Sequence, residues 1–270
     1  MGNVTKIVKY YGIIGYMKLL FTLAAISDIH IDKYPLESDF FNRVNKKADL
    51  LIIGGDINNG KEAEVNHFLD LIYGVKIPII IIFGNHDCDA GSLEKIKMLL
   101  SANPLIRVLD GGYVKFELKG KTLGIAGTKG YGGGFAPHMI ISRGEMATKS
   151  FVEEEEREIE KLQIALHQMN ATTPDFKVVL THWAAFEETI DGEPKELYVM
   201  LGSSRLGDAI ETISPHLALN GHAHHGPQGI KKARGKISAC NISYKVNEGR
   251  MPLFDFFSDG SIVLRHLENH

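Results

Sequence analysis

The stretch IIIIFGNHD, residues 79–87, decides how the rest of the chain is interpreted. A short run of branched apolar residues that ends in glycine is typical of a strand buried on both faces of a sheet. Asn85, His86 and Asp87 follow the run directly, and these side chains can bind metal ions or move protons. In layered α/β folds, ligands bind in the crevice beyond the carboxyl ends of such strands. The stretch therefore predicts a chemical site at one edge of a sheet.

Four further apolar runs end in the same way. They are LLFTLAAIS before Asp28-Ile29-His30, LLIIGG before Asp56, VVLT before His182, and LALN before Gly221-His222-Ala223-His224. Taken singly such motifs are weak, because an Asp-x-His triplet arises by chance in roughly every second chain of this composition. Their shared position after a predicted buried strand is what carries information. We therefore expect side chains far apart in the sequence to meet at one edge of the fold.

The overall composition is that of an ordinary globular protein and sets limits on its partners. Of 270 residues, 44% are hydrophobic and 23% are charged, and the net charge is −3. A weakly negative chain has no general attraction for polyanions, so we expect neither long nucleic acid nor a membrane as a partner. The two cysteines, Cys88 and Cys240, form no disulfide framework or Cys-rich metal motif, which suits a reducing, cytoplasmic compartment.

The N-terminal segment has some features of a signal peptide or membrane anchor. Residues 10–26 are apolar, but Lys18 interrupts them, and the run is shorter than the roughly 20 residues that cross a bilayer. Cleavage at its end would also remove the strand that precedes the first motif. We predict that the first strand spans 18–27, that residues 1–17 form a poorly ordered extension, and that 18–270 is a single domain.

The order of the remaining elements indicates the fold class. The first half alternates strands with amphipathic helices, which favours parallel strand–helix–strand units. Short strands with glycine turns follow over 104–128, and a long helix is predicted from Ser150, where Ser150 and Glu153 match a capping box. The acidic run 153–156 is interpreted as its solvated first turn. Three strands end the chain, so we expect two packed sheets with helices outside.

In their order along the chain, the five motifs resemble those of the calcineurin-like metallophosphoesterases. That family carries D-x-H, G-D, G-N-H-[DE], a single His and G-H-x-H, and each has its counterpart between residues 18 and 257. One departure is Trp183-Ala184 after the single His, where many members have a proline nearby. The resemblance implies a four-layer αββα sandwich of two mixed sheets flanked by helices, with a binuclear metal site at the carboxyl edge of the strands.

The resemblance also implies the roles of individual residues. The seven metal ligands are all oxygen or imidazole donors, which suit Mn²⁺, Fe or Zn²⁺ better than a thiolate-seeking metal. They divide into Asp28, His30 and His224 for the first of two divalent ions, Asn85, His182 and His222 for the second, and Asp56 for both. A hydroxide between the ions would attack phosphorus. His86 would protonate the leaving group or position the phosphate, and Asp87 would fix the tautomer of His86.

The leading hypothesis from the sequence is therefore hydrolysis of a small phosphate monoester or diester. Two alternatives stay open, namely a non-catalytic metal-binding scaffold on the same fold and metal-assisted hydrolysis of another kind of substrate. Specificity is expected to come from the loops 128–150 and 183–206. The Gly-rich segment 127–135, which overlaps the first loop, is interpreted either as a flexible lip over the metals or as a surface loop with tight turns.

Overall fold

The computed structural model of the protein describes residues 5–10, 13–91 and 93–268, with side chains from residue 17 onward. The strands, in chain order, are β1 (Thr5–Tyr10), β2 (Ile13–Ile26), β3 (Leu50–Ile53), β4 (Ile79–Ile81), β5 (Ile106–Val108), β6 (Gly112–Leu118), β7 (Lys121–Thr128), β8 (Gly134–Phe135), β9 (His138–Met139), β10 (Phe176–Thr181), β11 (Leu217–Asn220), β12 (Lys231–Ala233), β13 (Ile237–Asn241), β14 (Pro252–Phe257) and β15 (Ile262–His266). The α-helices are α1 (Glu62–Ile72), α2 (Leu93–Ser101), α3 (Met146–Ala171) and α4 (Ser204–Glu211). Short 3₁₀ segments cover Asn42–Lys46, His86–Cys88, Glu187–Thr189 and Lys195–Met200.

The first sheet has the strand order β15-β14-β2-β3-β4-β5, with β1 paired to the early part of β2. Strands β2 to β5 run parallel, whereas β14 and β15 join antiparallel. Parallel neighbours need a crossover connection, and α1 and α2 supply it between β3 and β4 and between β4 and β5. Apolar side chains of these helices, including Phe68 and Ile96, cover the outer face of the sheet.

The second sheet has the order β12-β13-β11-β10-β7-β6. Its four inner strands are parallel, and the edge strands β12 and β6 are antiparallel to their neighbours. Helices α3 and α4 are the crossovers here, and their apolar side chains, including Leu162 and Leu206, cover the outer face.

Alternation along the strands builds the layers. In β2, Leu23 and Ala25 belong to the apolar core between the two sheets, whereas Ala24 and Ile26 pack with the residues of α1 and α2. This period of two is what a strand buried on both faces requires. Helices therefore lie outside two sheets that pack face to face, and the predicted four-layer sandwich is confirmed.

The predicted start of the first strand is wrong. Strand β2 begins at Ile13 rather than at residue 18, because residues 13–18 pair antiparallel with β1. Residues 1–4 and 11–12 of the predicted extension lie outside the described residues. The division of the chain at residue 17 therefore stays a prediction.

The predicted start of the long helix is also wrong. Helix α3 begins at Met146, and its N-cap, Glu145, makes no side-chain capping bond, so Ser150 lies inside the helix. The acidic run is solvated only in part, because Glu155 is fully buried. Its carboxylate accepts hydrogen bonds from Ser203 and Arg205. A run of four glutamates on a helix must point one of them toward the core, and these two partners make that burial tolerable.

The helices of the described ranges do not include one that combines the length and the apolar character needed to cross a bilayer.

Candidate metal centre

The predicted ligands all follow the carboxyl ends of parallel strands. Asp28 and His30 come after β2, Asp56 after β3, Asn85 after β4, His182 after β10, and His222 and His224 after β11. Their donor atoms converge in three overlapping groups, in each of which the atoms lie within 4.8 Å of one another: Asp28 with His30 and His224, Asp56 with His182 and His222, and His30 with Asp56 and His86. The first group has the members of the first predicted set, and the second joins Asp56 to His182 and His222 of the other set.

Asp56 lies between the two groups. Its Oδ2 atom is 3.8 Å from Nε2 of His30 and 3.4 Å from Nε2 of His182. On one side, Nε2 of His224 lies 3.1 Å from Oδ1 of Asp28. On the other, Nε2 of His182 lies 3.1 Å from Oδ1 of Asn85. One carboxylate thus reaches imidazoles from both sets, as a shared ligand must.

His30 shows that this arrangement fits a cation. The residue is 1% exposed, and neither ring nitrogen has a hydrogen-bond partner among the described residues. A buried nitrogen left without a partner costs about 1–3 kcal/mol, so such groups are rare unless they serve a ligand. A divalent ion between His30 and the carboxylates of Asp28 and Asp56 would satisfy the ring and the charges together.

Backbone carbonyl groups select which nitrogen of two rings is free to bind metal. Nδ1 of His182 donates to the carbonyl oxygen of Gly54 at 2.9 Å, which leaves Nε2 as the nitrogen that faces Asn85 and Asp56. Nε2 of His222 donates to the carbonyl oxygen of Met200 at 2.8 Å, which leaves the lone pair on Nδ1. Ligating histidines commonly donate their other nitrogen in this way, and the bond fixes both tautomer and ring orientation.

The electrostatics of the centre favour a neutral imidazole at His222 and a positive charge at His182. Burial, helped by the neighbouring His182, lowers the pKa of His222 to about 4, so this ring is neutral at pH 7. Burial alone would also lower the pKa of His182, but the carboxylates of Asp56 and Asp28 outweigh it and raise the pKa to about 9. Burial would raise the pKa of Asp56, but the charge of His182 holds it below its ordinary value.

Four of the predicted ligands occupy the left-handed backbone region. The φ angles are 54° at Asp28, 34° at His30, 51° at Asp56 and 67° at His222. Residues other than glycine adopt this region at a cost of order 1–3 kcal/mol each, and such residues cluster at functional sites. The strand ends are therefore strained at the positions that carry the donor atoms.

Two motif glycines are explained by close approach to the carboxylates. A Cβ atom at Gly84 would lie 2.1 Å from Oδ1 of Asp56. A Cβ atom at Gly221 would lie 2.5 Å from Oδ2 of Asp28. Only glycine lets the neighbouring strand ends pass this close to the ligands.

His86 lies at the edge of the centre, half-exposed, with its ring centroid 5.1 Å from that of His30. Its Nδ1 atom pairs with Oδ2 of Asp89 at 2.9 Å. The predicted contact between Asp87 and His86 is therefore wrong. Residues 86–88 form a 3₁₀ turn, in which side chains three positions apart lie over one another, so the turn presents Asp89 to His86 and directs Asp87 inward.

Asp87 is buried and supports the backbone of the centre. Its carboxylate accepts four backbone N–H groups at 2.8–3.2 Å, from Asp56, Ile57, Asn58 and Gly84. Burial, followed by the charge of Asp56, raises the pKa of Asp87 to about 7, against the effect of these donors. Asp87 thus ties the turn after β3 to the turn after β4.

The loops around the centre pack on one another. Gly133 donates its N–H to the carbonyl of Val199 at 3.0 Å, and Gly134 donates to that of Gly202 at 2.9 Å. The Gly-rich segment is thus held by backbone bonds, which favours the tight-turn interpretation. A cavity of about 680 Å³ lies between the two loops, with Phe135, Phe186 and Tyr198 in its wall, and none of the seven predicted ligands lines it.

Comparison with solved structures shows the same fold in distant proteins. A structure of TT1561 of Thermus thermophilus superposes with a TM-score of 0.62 at 16% identity, over 92% of this chain and 100% of that one. A protein of Staphylococcus aureus described as a 5'-nucleotidase, solved in complex with alpha-ketoglutarate, gives 0.56 at 14% identity, over 92% and 53%. The NAD nucleotidase of Haemophilus influenzae gives 0.52 at 14% identity, over 92% and 55%. This chain thus spans about half the length of the two nucleotidases.

Comparison of sequences identifies the family. No curated protein matches this chain in sequence. The sequence model of the family described as calcineurin-like phosphoesterase matches residues 21–226, which include the seven predicted ligands, His86 and Asp87. That match covers more than half of the chain and all five motifs. The protein belongs to the calcineurin-like phosphoesterase family.

Proposed function

We propose that the protein hydrolyses small phosphate monoesters or diesters with the help of two divalent metal ions. Family membership supports phosphoester hydrolysis in general. The observation that carries the finer proposal is His30, a buried ring with two unpartnered nitrogens beside the carboxylates of Asp28 and Asp56. Among the described residues, no protein atom satisfies either nitrogen of that ring.

We propose the division of ligands between the two ions that the family resemblance implies, and the observed distances support it. Those for the first ion are Asp28, His30 and His224, those for the second are Asn85, His182 and His222, and Asp56 belongs to both. Oxygen and imidazole donors favour Mn²⁺, Fe or Zn²⁺. When bound, two such ions would neutralise the phosphoryl oxygens and lower the pKa of a water, so that it can attack phosphorus at neutral pH.

His86 is proposed as the proton donor to the leaving oxygen. Because Nδ1 is engaged by Asp89, the other nitrogen, Nε2, is left to face the substrate. A histidine ring in this position can act as a general acid and give its Nε2 proton to the leaving oxygen. Asp87 then acts as a positioning residue, since its carboxylate contacts backbone groups and not the ring of His86.

The main test is metal-dependent hydrolysis of two model esters. The protein is stripped with a chelator, reloaded with Mn²⁺, Fe²⁺ or Zn²⁺, and assayed with p-nitrophenyl phosphate and bis-p-nitrophenyl phosphate. We expect two ions per chain by elemental analysis and activity only after reloading. A protein that binds both ions and hydrolyses neither ester would support the non-catalytic scaffold instead.

A second test concerns His86. His86→Asn is expected to lower kcat on phenyl phosphate by about 10²–10⁴-fold, which is the range for a general acid. The loss on p-nitrophenyl phosphate should be smaller, because p-nitrophenolate leaves without a proton. His167→Asn, an exposed histidine of α3, is the matched control. Equal losses on both esters would argue against a proton-donating role.

A further inference from the structure

One side of the centre carries polar and aromatic groups that the proposed reaction does not use. The turn at residues 243–245 lies directly against the first ligand turn, because Tyr244 donates its backbone N–H to the carbonyl of Ser27 at 2.8 Å. Ser27 and Ser243 also form an isolated parallel bridge. Since Ser27 precedes Asp28, residues 243–245 form part of the rim of the centre.

Two tyrosine rings line this rim. The ring centroid of Tyr34 lies 6.4 Å from that of His30 and 5.2 Å from that of Tyr244. Both tyrosines are half-buried. The ring centroid of Phe40 lies 6.1 Å from that of Tyr244, in an edge-to-face arrangement. The rings therefore form a fixed apolar wall that begins beside the metal ligand His30 and continues to Tyr244.

The residue after Tyr244 is a lysine held in place by a hydrogen-bonded chain. Glu193, whose side chain is 4% exposed, accepts the backbone N–H of His225 at 2.6 Å and its Nδ1 hydrogen at 3.3 Å. Because a carboxylate accepts here, the lone pair of the ring is on Nε2, and Nζ of Lys245 donates to it at 2.8 Å. His225 directly follows the proposed ligand His224 in sequence, so these three hydrogen-bonded side chains are attached to a motif of the centre.

The charge of Lys245 is not cancelled by a direct ion pair. Among the residues that the structure describes, Nζ of Lys245 contacts the imidazole of His225, whereas Lys161 and Lys236, for example, pair directly with carboxylates. Ordering a long exposed side chain costs up to about 2 kcal/mol of rotamer entropy. A buried carboxylate and an imidazole that together fix an ammonium at the rim are explained if an anion binds there.

We propose that Lys245, held by His225 and Glu193, binds a second anionic group of the substrate. The preferred substrates are then phosphate esters whose alcohol part carries a further phosphate or carboxylate. Tyr34 and Tyr244 line the path between the reacting phosphate and this second group. This inference rests on the proposed phosphoesterase function and adds a substrate class to it.

The test compares esters that differ in one anionic group. The pairs are phenyl phosphate with 4-carboxyphenyl phosphate and glycerol 3-phosphate with 3-phosphoglycerate, all with the metal-loaded protein. We expect the wild-type protein to prefer the carboxylate member of each pair. Lys245→Met should lower kcat/KM for the carboxylate members about tenfold, mainly through KM, and should lower it much less for their partners.

Three variants make this result specific. Lys245→Arg keeps the charge and should retain the preference, and Glu193→Gln should weaken it by loosening His225 and Lys245. Lys76→Met removes another exposed lysine, before the amino end of β4 at the opposite edge of the sheet, and is the control. Thermal unfolding of each variant shows whether the fold is intact.

The outcomes separate this inference from the proposed function. If the wild-type protein hydrolyses all four esters without preference, the inference alone is wrong. It is also wrong if Lys245→Met lowers kcat/KM by the same factor within each pair, because Lys245 would then act on the reacting phosphate. If no ester is hydrolysed with any metal, the proposed function falls and the inference falls with it.

Discussion

The two sheets contribute to the centre in different ways. The first sheet supplies every proposed oxygen ligand, and the second supplies proposed imidazole ligands only. The turns of the first sheet support each other, since His86 donates its backbone N–H to the side chain of Asp56 and Asp87 accepts from the turn after β3. The rings of the second sheet depend on groups outside the ligand motifs, because His222 donates to the carbonyl of Met200, in another loop.

This difference has a physical cause. A carboxylate ligand needs close approach of backbone groups, which the glycines and left-handed residues of neighbouring motif turns provide. An imidazole ligand needs a partner for its second nitrogen, and that partner can come from any part of the fold. The first-sheet half of the site should therefore fail when its own motifs are changed. The second-sheet half should also respond to substitutions outside its motifs.

Asp56→Asn should have the largest effect, because Asp56 is the ligand that lies between the two sets of imidazoles. We expect loss of both ions and a fall in kcat/KM of about a thousandfold or more, since removing even one group that stabilises a transition state costs 10²–10³. Elemental analysis after dialysis measures the first effect and ester hydrolysis the second. Asp259→Asn, in an exposed turn, is the control. Retention of two ions by Asp56→Asn would disprove the shared-ligand assignment.

Gly84→Ala tests the local support of the first sheet. The added methyl group would lie 2.1 Å from Oδ1 of Asp56, so that carboxylate must move. We expect weaker binding of both ions and a loss of about 1–3 kcal/mol in the free energy of unfolding. Chemical denaturation and metal titration measure these quantities. Gly112→Ala is the control, because its nearest new contact is 3.3 Å away. Equal behaviour of the two variants would contradict the steric explanation.

Glu155→Gln tests the remote support of the second sheet. Glu155 accepts hydrogen bonds from Ser203, the N-cap of α4, and from Arg205, in the first turn of that helix. This helix start follows shortly after Met200, whose carbonyl orients His222. We expect the ion held by His222 to bind about tenfold more weakly and the other ion to be unaffected. Changing a group that orients a metal ligand typically lowers metal affinity by about 10–100-fold, and Glu155 acts on His222 only indirectly. Competition with a metal chelator resolves the two affinities.

The neighbouring residue offers a matched control for this substitution. Glu156→Gln removes an exposed carboxylate from the same helix. It changes the net charge and the helix composition as Glu155→Gln does, but it does not touch the segment after Met200. Equal weakening of both ions in Glu155→Gln would show a general loss of order. A specific role for the loop after Met200 would then be excluded.

The sequence predicted the part of the site that lies in the motifs themselves, at the ends of the buried strands. The buried runs before Asp28, Asp56 and Asn85 predicted both the parallel strands and the positions of the donor groups after them. It could not predict the role of Glu155, because an acidic run at the start of a helix is ordinarily solvated, and only the packing of α3 shows which carboxylate is buried. The Met200 carbonyl carries no side-chain signal at all.

Asp89→Asn should have the smallest effect, and it concerns the one imidazole contact in which a short turn provides the support. Asp89 is three residues from His86 and its side chain is 55% exposed, so water can replace part of its interaction with the ring. We expect kcat on phenyl phosphate to fall about threefold to fivefold, with a smaller change on p-nitrophenyl phosphate. Asp70→Asn, an exposed carboxylate of α1, is the control. A loss as large as that in His86→Asn would mean that His86 works only when Asp89 is charged, and remote and local supports would then be equally important.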